Sequence, residues 1–121
     1  IVSTEMSNAN SRIFINGRVI NTIGMTVALS YSDFWDGYIS TAINYDEFAL
    51  PVYMTFDVWT GSQSTGNKYT GSTCASWGSS MSSNFGYVGS VESSSTTNYG
   101  MWLNNMSHSC NNMRRLYCIS Q

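Results

Sequence analysis

Val58-Trp59-Thr60-Gly61-Ser62, Cys74-Ala75-Ser76-Trp77 and Cys110-x7-Cys118-Ile119 are the stretches on which the reading of this chain turns. They hold all three cysteines and two of the four tryptophans. Three is an odd number, so one cysteine lacks a partner within the chain. The spacing argues against zinc, because there is no Cys-x2-Cys and His108 is the only histidine. Trp59 and Trp77 sit inside these motifs and read as core residues rather than ligand platforms.

Around these stretches the chain is short and unusually neutral. At 121 residues it is one domain, and 42% hydrophobic with 14% aromatic residues is enough for a core. Charged residues are only 10%, while Ser, Thr and Asn make up 44 of the 121 positions. Between Tyr69 and Met113 the only formal charge is Glu92. A surface of hydroxyl and amide groups in place of Lys and Glu reads as extracellular, secreted or on the cell surface. The net charge of -2 and five scattered basic residues make nucleic acid and heparin-like polyanions poor partners. Arg114-Arg115 reads as strand surface. No apolar run is long enough for a membrane span. No signal-peptide pattern stands at Ile1-Val2-Ser3-Thr4-Glu5, so the chain reads as a mature or excised piece.

Residues 1–11 are expected to form an N-terminal arm, loose or an edge strand, and residues 12–121 the domain. Arg12 to Ile20 reads as strand, turn, strand about Asn16-Gly17, a strong hairpin signal. Met25 to Leu29 is a second apolar stretch. Ser30-Tyr31-Ser32-Asp33 has capping-box form, and the short helix it opens should turn Phe34, Trp35 and Tyr38 inward before Gly37 ends it. Further strands are expected at Val52–Val58, Tyr99–Leu103 and Arg114–Ile119. The Gly, Ser and Thr between Gly61 and Gly71 are loop chemistry. The fold class is therefore α+β, with one short helix, short antiparallel strands and long loops.

The motif residues resemble the C-terminal half of endostatin, the C-terminal domain of collagens XV and XVIII. They also resemble a family of bacterial surface domains ending in Arg-Leu-Tyr-Cys, here Arg115-Leu116-Tyr117-Cys118. Ser32-Asp33-Phe34-Trp35-Asp36-Gly37 fits the helix before the core in both, and the resemblance runs from about Arg12 to the end. It implies a C-type-lectin-like fold with an inner disulfide between Cys74 and Cys110. In that fold the last cysteine, here Cys118, pairs with one on an early helix. This chain has no counterpart of that helix or its cysteine, so Cys118 is expected to be an interchain bridge to a second chain or a free thiol. An inner disulfide would add about 4 kcal/mol in the chain-entropy model.

The sugar mechanism of calcium-dependent lectins is not expected. Trp102-Leu103-Asn104-Asn105 lacks the acidic residue of that motif, and the partner proline motif is absent. Calcium needs several hard oxygen ligands, and only Glu92 lies in that region. Asp33-x-x-Asp36-Gly37 reads as a helix cap with exposed charge. Endostatin's zinc histidines and arginine-rich surface have no counterpart either, so neither cofactor nor metal is expected. Catalysis has little support: His108 lies between Ser107 and Ser109, but no Gly-x-Ser-x-Gly elbow is present. Asp46-Glu47, adjacent on a strand, would point to opposite faces. Asn105-Met106-Ser107 matches a glycosylation sequon, which matters only in a host that glycosylates.

The expected function is thus a non-enzymatic adhesin-like binding module that takes a glycan or a partner protein on its loop face. Tyr69, Tyr87, Tyr99 and Trp102 would stack on sugars or fill protein pockets, with Glu92, Asn104 and Asn105 supplying polar contacts. The alternative is a structural subunit of a surface fibre, completed by a second chain and able to oligomerise.

Overall fold

A computed structural model describes residues 1–53, 57–97 and 100–120. The chain is a small α+β domain whose regular elements are all short. In order they are α1 (Ala9–Arg12), β1 (Val19–Ile20), β2 (Thr26–Ala28), α2 (Tyr31–Phe34), β3 (Val58–Trp59), α3 (Cys74–Trp77), β4 (Phe85–Gly89) and β5 (Met106–Ser109). Strands β1 and β2 form one antiparallel ribbon, and β3-β4-β5 form a separate antiparallel sheet.

The first ribbon corrects the expected hairpin. It turns at Asn21–Gly24, not at Asn16-Gly17. The Asn21 side-chain oxygen accepts from the backbone N–H of Ile23 and of Met25, at 3.2 and 2.9 Å. Gly24 takes φ +85° and donates back to the Asn21 carbonyl at 2.9 Å. An asparagine that supplies its own turn acceptor outcompetes the Asn-Gly signal upstream. Gly17, at φ +110°, only bends the irregular link between α1 and β1.

The cap of α2 forms as expected, with one shift. The Ser30 hydroxyl accepts from Asp33 N–H at 3.2 Å, while the Asp33 carboxylate reaches back to Leu29 N–H at 2.6 Å, one residue before the cap. Phe34 and Trp35 are buried; Tyr38, expected to face inward, is 41% exposed.

The three-stranded sheet rests on close approaches that only glycine permits. A Cβ on Gly89 would stand 1.8 Å from the Trp102 carbonyl oxygen, and one on Gly86 would stand 2.8 Å from Cys74 Sγ. The expected C-terminal strand joins this sheet only at Arg115, which bridges Val58 in parallel and accepts from Trp59 N–H at 3.0 Å. Met101–Leu103, expected as strand, form a turn. Of the expected Val52–Val58 strand, Val58 belongs to β3 and positions 54–56 lie outside the described residues.

Two cores flank the sheet. The larger one packs Phe34 against Trp102 (ring centroids 4.7 Å apart) and Trp35 (4.9 Å), with Tyr117 5.9 Å from Trp102. The smaller one gathers Trp59, Val88 and the Cys74–Cys110 disulfide beneath Trp77. The first residues are not a loose arm. Ser3 is fully buried; its N–H donates to the Thr60 carbonyl at 2.8 Å, and its hydroxyl lies 2.8 Å from that of Ser62.

Candidate binding face

An aromatic surface lies where the loop after β3 folds over β4. Within that loop Ser62 and Lys68 form an antiparallel bridge, closed by Gln63 N–H to Asn67 O (2.7 Å) and Gly66 N–H to Gln63 O (3.0 Å). Gly66 takes φ +79°, and the Trp35 ring lies where a Cβ would go, 2.4 Å away. Tyr69 N–H then donates to the Gly61 carbonyl at 2.8 Å. Tyr87, in the middle of β4, accepts at its carbonyl from Thr60 and Gly61 N–H (3.0 and 3.1 Å) and donates its N–H to Ser72 O (2.9 Å). Both backbones are therefore held by main-chain bonds, and the rings meet in a parallel stack, 4.1 Å between centroids and 12° between planes. The Tyr69 phenol alongside, more than burial, raises the Tyr87 pKa above the ordinary tyrosine range. The neutral phenol is the form held in place.

Strand alternation extends this surface. Phe85, two residues from Tyr87, shares its face of β4 and is half exposed. Across the ladder Ser107 pairs with Tyr87 and Ser109 with Phe85. Rings and hydroxyls thus alternate on one sheet face.

The expected site residues divide. Tyr69 and Tyr87 come together. Glu92 is half buried in the turn after β4; Asn104 and Asn105 are half buried just before β5, where Asn105 N–H donates to Val88 O at 2.8 Å. Asn104 and Asn105 adjoin the Val88–Met106 end of the β4–β5 ladder. Tyr99 lies outside the described residues. Trp102 is corrected: it is fully buried among Phe34, Trp35 and Tyr117, with no ring face for a ligand. Cys118 is exposed and unpaired.

Glu5 braces the loop after β3 from the side. Its carboxylate accepts from the Thr73 hydroxyl at 2.5 Å and from Gly71 N–H at 3.2 Å. Thr73 opens α3, where Cys74, Ala75, Ser76 and Trp77 all have φ between +50° and +67°. A left-handed turn of non-glycine residues costs roughly 1–2 kcal/mol per residue. Thr73 Oγ1 accepting from Ser76 N–H, Trp77 N–H bonding to Thr73 O and Trp77 Nε1 donating to Ser3 O at 2.8 Å hold it. A solitary acid in a polar segment gives no local sign of such a role.

His108 faces away from the two serines that flank it in sequence. Arg114 Nη2 lies 3.2 Å from its Nδ1, which assigns Nδ1 as acceptor, and Asp57 lies 3.6 Å from Nε2. No serine hydroxyl bonds to it among the described residues. Among the same residues, no three His, Cys, Asp or Glu side chains converge as a metal site would need, and no helix is long and apolar enough to cross a membrane.

A second concavity opens between the β1–β2 ribbon and the segment 114–120. Its volume is about 1180 Å³, with Ile15, Val27, Phe34, Val58, Val91 and Tyr117 among its lining and Cys118 on its border. No protein-family model matches the chain, and no curated protein matches it.

Proposed function

We propose that this chain is an extracellular or cell-surface binding module of C-type-lectin-like architecture, acting as an adhesin rather than an enzyme. Its ligand, a glycan or a partner protein, meets the loop face between Ser62 and Ser109. The observation that carries this reading is the Tyr69–Tyr87 stack, fixed by main-chain bonds and flanked by Phe85 and serine hydroxyls. Rings ordered before binding cost little conformational entropy on complex formation, and hydroxyls beside them supply adaptable hydrogen bonds. Recognition is expected to be independent of calcium, since Glu92 is the only carboxylate between Tyr69 and Met113.

The test is a parallel screen of glycan and surface-protein arrays with the parent protein and with Tyr69→Ala/Tyr87→Ala, both checked for folding by circular dichroism. The reading expects a hit that the double variant loses and that chelation of calcium leaves intact. A hit bound equally by both proteins would place the ligand elsewhere.

The concavity bordered by Cys118 favours a second reading, a structural subunit completed by a second chain through that surface or that thiol. Copurification of another chain from the native source, released by salt, detergent or reduction, would support it. A monomer with one alkylatable thiol and no companion would count against it.

A further inference from the structure

On β5, His108 meets two groups of opposite charge that come from other parts of the chain. Arg114, at the start of the segment 114–120, places Nη2 3.2 Å from His108 Nδ1. Asp57, just before β3, places a carboxylate oxygen 3.6 Å from Nε2. A guanidinium has donors only, so Nδ1 must offer its lone pair and the ring proton must sit on Nε2. The neutral ring therefore has one bond made and one wanting. Its Nε2 is buried and bonds to nothing, because Asp57 stands beyond hydrogen-bond reach. Arg114 is caught in the same way, with Nη2 held and Nε buried without a partner.

Proton uptake reverses this balance. The Nδ1 lone pair forms a new N–H bond with a proton from water, and the ring becomes a cation with two donors. The Arg114 hydrogen bond then has no acceptor, and two cations face each other. On the other side of the ring, the Asp57 carboxylate gains a charged partner. The side chains of His108 and Asp57 are 27% and 19% exposed, so protons can exchange with water. The remaining neighbours leave the outcome to these groups. Gly86, opposite His108 across the ladder, has no side chain, and Ser107 and Ser109 are neutral. The Tyr117 phenol feels the Asp57 charge, but burial above all keeps it protonated. Arg115, the next cation along, is tied to Val58 and Trp59 through its backbone.

We propose that His108 is a proton-operated latch on the C-terminal segment: unprotonated, it holds Arg114 against β5; protonated, it turns to Asp57 and lets Arg114 go. Each state satisfies one side of the ring and leaves the other, which makes the pair of states bistable and open to bias by a proton. The backbone bonds of Arg115 take no part in the exchange. What moves is the Arg114 side chain and the backbone about it, not the sheet. Arg114 lines the concavity beside the segment, so its release alters that wall. The latch depends on neither reading of function.

The test is nuclear magnetic resonance of the whole protein from about pH 8 to about pH 5, the span in which imidazoles change charge. It follows the His108 ring nitrogens and the amides of residues 113–116. Arg114→Met keeps the aliphatic stem and removes the donor. His108→Gln keeps an acceptor that takes up no proton. The expected result is an Nε2–H ring at the upper pH, then amide shifts at 113–116 that follow ring protonation. Those shifts should be lost in His108→Gln, and lost in Arg114→Met although its ring still titrates. Amides that felt only the charge of the ring would go on shifting in Arg114→Met, and that result would overturn the latch. So would an Nδ1–H ring at the upper pH, a ring that takes up no proton, or amides that stay still in the parent. Loss of the folded spectrum before the ring titrates would overturn it too, since the latch opens within the folded protein.

Discussion

Removing the Cys74–Cys110 disulfide should lower the melting temperature by about 15 °C. The two cysteines are 36 residues apart. Closing a loop of that length restricts the unfolded chain by about 13 cal/mol/K, or about 4 kcal/mol at room temperature. Unfolding entropy near the midpoint is about 2.1 cal/mol/K per residue, about 0.25 kcal/mol/K for this chain of 121 residues. The quotient gives the shift. Alanine at both positions is the suitable perturbation, because Cys74 and Cys110 are buried and serine would bury unpaired hydroxyls. Cys118→Ala serves as control and should melt with the parent, since Cys118 is exposed and unpaired. The assay is scanning calorimetry with near-ultraviolet circular dichroism. The second signal should also change, because Cys74 begins the left-handed turn that carries Trp77 to the Ser3 carbonyl. A double variant melting within about 3 °C of the oxidised parent would refute the loop-closure reasoning.

Other outcomes follow from particular contacts. Gly89→Ala should cost at least about 3 kcal/mol in chemical denaturation, because its methyl group would overlap the backbone at Trp102. Gly17→Ala, where nothing lies within 4 Å, should cost only about 1–2 kcal/mol, reflecting φ alone. Glu5→Gln should destabilise by about 1–2 kcal/mol through its bonds to Thr73 and Gly71, measured in the same way. Alkaline stability should fall. Burial raises the Tyr117 pKa strongly in the folded state, so above pH of about 10 the unfolded chain loses that proton first and stability declines by up to about 1.4 kcal/mol per pH unit. A denaturation series from pH 8 to 11 checks this, and a flat profile would contradict it. In ultraviolet titration, Tyr69→Phe should return Tyr87 toward the ordinary tyrosine range.

What could be read in the sequence was local. Ser30 and Asp33 announce the cap of α2 because the motif is complete within four residues, and Thr26–Ala28 is an apolar run whose partner strand lies nearby. The Asn16-Gly17 signal misled because Asn21, with an oxygen well placed for two amides, offered a better turn five residues on. Strand β4 has no clear signature in the sequence because Gly86 and Gly89 weaken its pattern; both answer to residues remote in sequence, Cys74 and Trp102. For the same reason the place of Trp102 could not be told from its neighbours Leu103 and Asn104: an aromatic cluster with Phe34 and Tyr117 decides it. Tyr69 and Tyr87 could be picked by type, but their stacking depends on the chain reversal that brings Gly61 beside Tyr87.

The loop-face reading meets its most direct test in the amide NMR spectrum of the protein titrated with whatever ligand the array screen returns. Shifts centred on Tyr69, Tyr87 and Ser107, absent for Tyr69→Ala/Tyr87→Ala, are the predicted result. Shifts confined to Ile20, Asn21 and Leu116 would contradict it and move recognition to the groove.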